Sequence, residues 1–112
     1  MENRTLQPSE LTVIGSDISI EGNLVVSNEL HLYGKIIGEI QGSPGSLIIS
    51  KAGSLIEGRI AGDQIIIDGF VKGHIEATGR VWITPIGKLV GSIKTNSLQI
   101  DPGAIFEAKV EM

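Results

Sequence analysis

Six times along the chain a large apolar residue, one spacer, a glycine, a second spacer and another large apolar residue follow in that order; alanine replaces the glycine in the sixth copy. The copies are Ile20-Gly22-Leu24, Ile36-Gly38-Ile40, Ile56-Gly58-Ile60, Val71-Gly73-Ile75, Leu89-Gly91-Ile93 and Phe106-Ala108-Val110. Their centres are 16, 20, 15, 18 and 17 residues apart. Self-similarity at that period predicts a solenoid, in which each repeat is one coil and buries its apolar side only against its neighbours.

A second element precedes each copy: Leu11-Thr12-Val13, Leu30-His31-Leu32, Leu47-Ile48-Ile49, Ile65-Ile66-Ile67, Val81-Trp82-Ile83 and Leu98-Gln99-Ile100. Alternation with period two predicts strands whose outer members point inward and whose middle member points outward. Three sides per turn result: this strand, a strand running into the glycine and a strand running out of it. The corners between them carry Gly42-Ser43-Pro44-Gly45, Ala52-Gly53, Asp68-Gly69, Thr84-Pro85-Ile86-Gly87 and Asp101-Pro102-Gly103, residues that favour tight turns. The expected fold is therefore an all-β, single-stranded parallel β-helix of about six triangular coils over residues 11–112, preceded by a flexible tail at 1–10. Opposite charges should fall side by side from coil to coil, Glu57 beside Lys72 on the second side and Glu39 beside Arg59 on the third. On the first side the outward column reads Thr12, His31, Ile48, Ile66, Trp82, Gln99. Its apolar members Ile48, Ile66 and Trp82 are expected to form a lateral or partner-binding patch.

Composition narrows the function. Nineteen Ile, seven Val and fifteen Gly with four aromatic residues suit short strands joined at tight corners. A net charge of −4 without clustered Lys or Arg excludes a nucleic-acid footprint. Cysteine is absent, which removes disulfides and thiolate metal sites. No apolar run exceeds three residues, and Met1-Glu2-Asn3-Arg4 does not read as a secretion signal, so a cytoplasmic address is expected. No phosphate-cradling loop or calcium-binding spacing is present, and no cofactor or metal is expected.

The 17-residue mean spacing, the apolar-x-Gly-x-apolar device, the opening Thr12-Val13-Ile14-Gly15 and the closing Pro102-Gly103-Ala104-Ile105-Phe106-Glu107 together resemble the bactofilins, polymer-forming bacterial cytoskeletal proteins. The likeness covers roughly residues 11–112. It implies a right-handed β-helix that assembles without nucleotide or metal into non-polar filaments, through head-to-head and tail-to-tail contacts of the solenoid ends. It also implies scaffolding at the cell envelope, such as positioning cell-wall-modifying enzymes or shaping the cell. Many bactofilins begin with an apolar and basic membrane-binding segment, whereas Met1 to Glu10 sets Arg4 against Glu2 and Glu10, so direct membrane binding is not expected and a membrane role would need an adaptor as partner.

The residues argue for self-association independently. A solenoid that stays monomeric carries polar caps, because a bare end presents unpaired strand edges and apolar core. No amphipathic helix precedes Leu11 or follows Val110 in the pattern. Ile100, Ile105, Phe106 and Val110 are expected to line one junction, and Leu11 and Val13 the other. Two readings compete: a hexapeptide-type left-handed β-helix acyltransferase, favoured by the six-residue spacing of Ile14, Ile20, Val26 and Leu32, and a monomeric β-helix adaptor. The enzyme would need His31 or His74 as a general base, and only Glu39 is expected near His74. Later coils break the six-residue count, so a non-enzymatic scaffold is the reading carried forward.

Overall fold

The computed structural model describes residues 11–27, 29–42, 46–51 and 54–111. The tail at 1–10 and the corner residues 43–45, 52 and 53 lie outside the described residues. Among the described residues nine strands follow in chain order: β1 (Leu11–Ile14), β2 (Ser19–Val26), β3 (Glu29–Leu32), β4 (Lys35–Gly42), β5 (Leu47–Ser50), β6 (Leu55–Ile67), β7 (Phe70–Ile83), β8 (Lys88–Ile100) and β9 (Ile105–Glu111). Every pairing is parallel. The strands stack into a β-solenoid with six rungs on each side, hence five steps from the first rung to the last. The first side holds β1, β3, β5 and the C-terminal parts of β6, β7 and β8; the second and third hold β2, β4, the N-terminal parts of β6 to β8, and β9.

The glycine column fixes the corner between the second and third sides. Gly22, Gly38, Gly58, Gly73 and Gly91 are register partners in succession, and their φ angles lie between 127° and 139°, a region that a side chain disfavours. Space excludes a side chain as well: a Cβ on Gly73 would sit 1.9 Å from the Gly58 carbonyl oxygen. Ala108 pairs with Gly91, yet no non-glycine residue among those described has positive φ, so β9 rounds its corner differently. After the first side the ladder continues into the turn through bonds such as Tyr33 N to Ile14 O at 2.8 Å and Asp101 N to Ile83 O at 3.0 Å. Length variation collects there: Thr84–Gly87 and Asp101–Ala104 close four-residue turns, whereas Asp68-Gly69 turns in two.

Inward columns make the core. Ile36, Ile56, Val71 and Leu89 stack on the second side, Ile40, Ile60, Ile75 and Ile93 on the third, and Leu30, Ile48, Ile65 and Val81 on the first, all 0–1% exposed. Two expectations on the first side are corrected. Ile48 is fully buried and Ile49 takes the outward place between His31 and Ile66. In the first coil Ile14 is buried while Val13 is 54% exposed, so Val13 points outward and Thr12 is not in the His31 column. The cause in the third coil is a pair of inward serines. Ser46 donates to Val26 O at 3.2 Å and Ser50 meets Ser54 at 2.5 Å, which satisfies hydroxyls that the apolar pattern assigns to solvent.

Candidate functional site: the solenoid ends

The same column changes its environment only at its ends. Along the second side Ile20 and Phe106 are half-buried, although the four residues between them are almost fully buried. Along the third, Leu24 is half-buried and Val110 is 39% exposed. Along the first, Ile100 is 41% exposed beneath the fully buried Ile83. Nothing in residue type distinguishes these positions from the core; what they lack is a covering rung. The backbone tells the same story, since β1 and β2 at one end and β9 with the C-terminal part of β8 at the other have no further strand partner among the described residues.

The expected junction residues fall into two groups. Phe106, Val110 and Ile100 lie on inward columns of the C-terminal rung. Ile105 stacks on Lys88 in an outward column and is 48% exposed, at the rim of that end. At the N-terminal end Val13 is an outward residue, and the Leu11 side chain lies outside the described set. The apolar pattern missed Ile20 and Leu24, which occupy inward columns of the N-terminal rung, and Val25, which is exposed at its edge. The repeat itself carried the signal for the first two, because a core position on the second or third side of a first rung has no rung below it; on the first side Ile14 is nevertheless buried, at 6% exposed.

The lateral column is Val13, His31, Ile49, Ile66, Trp82 and Gln99, with Ile49, Ile66 and Trp82 half-buried. Trp82 Nε1 donates to Asp101 Oδ2 at 2.9 Å, tying this side to the corner one rung on. The two histidines occupy different sides of the coil. His31 Nε2 lies 2.6 Å from Glu29 Oε2, and His74 Nδ1 lies 2.6 Å from Ser92 Oγ. Glu39 is separated from His74 by the Arg59 rung, so the expected pairing of those two does not form. Neither histidine lines the groove of about 450 Å³ at the corner between the third and first sides, whose walls are Gly42, Ala61, Gly62, Ala77 and Thr95 with Glu76 and Lys94 among the polar residues. Among the described residues no cluster of His, Asp and Glu could hold a metal, and no helix is long and apolar enough to cross a membrane.

Comparison with known proteins bears on this architecture directly. Residues 12–111 match the family model for bactofilin, described as polymer-forming cytoskeletal. The chain belongs to the bactofilin family. Among curated bactofilins, BacP of Myxococcus xanthus (strain DK1622) is 35% identical over 101 residues, covering 90% of this chain and 41% of BacP. BacO of the same strain is 34% identical over 101 residues, covering 90% of this chain and 79% of BacO. The chain thus spans less than half the length of BacP. A cryo-EM reconstruction of Thermus thermophilus bactofilin double helical filaments has the same fold, with a TM-score of 0.82 and 21% identity over 88% of this chain and 96% of that one. The bactofilin solenoid accounts for nearly all of the described residues, and the acyltransferase reading is not favoured.

Proposed function

We propose that this bactofilin is a structural scaffold that self-assembles without nucleotide by stacking its solenoid ends, head to head and tail to tail. The observation that carries the reading is the exposure of core columns at both end rungs. Covering Phe106, Val110 and Ile100 at one end, and Ile20 and Leu24 at the other, would complete columns that the interior already shows to be self-complementary. Full burial of such a side chain contributes roughly 1.5–3 kcal/mol, so a junction of several half-exposed ones supplies a sizeable share of the contact energy. Strand edges at the ends add backbone hydrogen bonds.

Charge favours like ends meeting. Were the register of the interior continued from one copy into the next, Glu107 would stack on Glu21, because these residues share an outward column. Like charges directly opposite on neighbouring strands are destabilising. The family description supports a cytoskeletal role. Placement at the inner face of the cell envelope through an adaptor, and service to cell-wall-modifying enzymes, complete the proposal.

Negative-stain electron microscopy and sedimentation of the purified chain without nucleotide test the assembly. Filaments are expected; a discrete trimer, the assembly in which hexapeptide-type acyltransferases set a histidine between subunits, would revive the enzyme reading, and a monomer at all concentrations would favour the adaptor.

A further inference from the structure

We infer that the C-terminal junction is an antiparallel pairing of β9 with β9 of a second copy, centred on Ala108, in which Glu107 and Lys109 form two reciprocal ion pairs. The inference rests on the end-to-end reading above and adds its register. β9 runs from Ile105 to Glu111, so its midpoint is Ala108. A two-fold axis through that residue pairs the whole strand with its copy and uses the largest number of free backbone groups.

The side chains agree with this register. Phe106 and Val110 lie on inward columns and meet each other twice across the axis, closing the core. Glu107, Lys109 and Glu111 are outward and alternate in sign. Among the described residues neither Glu107 nor Lys109 belongs to an ion pair; they stack on Val90 and Ser92. Centring on Ala108 sets Glu107 against Lys109 of the copy. Centring one residue to either side sets Glu107 against Glu107 or Lys109 against Lys109. Ala108 also lacks the positive φ of the five corner glycines, so this corner is not shaped as a template for a further glycine corner in parallel register.

The test combines charge reversal with cross-linking in a chain that has no native cysteine. Glu107→Lys and Lys109→Glu should each lower the pelleted fraction several-fold, with circular dichroism unchanged, while the double exchange Glu107→Lys/Lys109→Glu should restore it. A parallel, head-to-tail junction gives the opposite sign for Glu107→Lys, which would then face Glu21 and strengthen assembly. Centring on Val110 leaves the double exchange defective, because the carboxylate that Lys109→Glu introduces would meet Glu111 of the copy. Cα atoms opposite each other in an antiparallel pair stand about 4.5–5.5 Å apart, within disulfide reach. Mixed Glu107→Cys and Lys109→Cys chains should therefore form a cross-linked heterodimer on oxidation, and neither alone a comparable homodimer. Wild-type filaments with single variants that pellet normally, or with an unrescued double exchange, overturn the register alone. A wild-type chain that never assembles overturns the scaffold reading, and the register with it.

Discussion

At Gly73 two constraints coincide: a φ of 137° and a carbonyl oxygen 1.9 Å from where a Cβ would be. Gly22 shares the conformation, with φ 127°, but nothing lies within 4 Å of its Cβ position. Gly73→Ala is therefore expected to cost more than the roughly 1–3 kcal/mol of a strained dihedral, whereas Gly22→Ala should cost no more than that. Urea unfolding midpoints of the two variants check the order. The buried Ser50–Ser54 pair obeys a different rule, since removing one hydroxyl strands the other. Ser50→Ala should lose about 1–3 kcal/mol, and Ser50→Ala/Ser54→Ala less than twice that, in the same unfolding assay.

Strands on the second and third sides were legible in the sequence, because the glycine at their shared corner punctuates an otherwise apolar alternation. Every central glycine and both flanking apolar columns stack as that spacing requires. The first side was less legible. Leu47-Ile48-Ile49 offers three apolar residues in a row, so hydropathy alone cannot choose its inward face. The structure chooses Ile48, because Ser46 and Ser50 find hydrogen bonds inside. A sequence pattern records which residues prefer burial and not which hydroxyls will find partners. Corner length was legible, and it sets a further expectation. Two glycines inserted after Ile86, an exposed corner residue, should shift stability by about 1 kcal/mol or less.

For the molecule as a column, stability is a sum of rung and interface terms, so the ends are the weakest part of an isolated copy. Amide exchange should be slowest in the middle rungs, around Ile56 to Ile83, and fastest in β1 and β9. Filament growth should then raise protection at β1, β2 and β9 with little change in the middle; unaltered end rungs in pelleted material would contradict end-to-end stacking. Phe106→Arg places a charge where the proposed junction would bury an aromatic ring, and should leave short oligomers with an intact fold. Filaments of unchanged length by electron microscopy would remove Phe106 from the contact.

Trp82 is the sole tryptophan, and its indole N–H is held by Asp101, on the turn that leads into β9. The chain therefore contains its own optical gauge of the terminal rung. Fraying of β9 would release the indole to water and shift its emission to longer wavelength, so assembly and dissociation can be followed in real time without an attached dye.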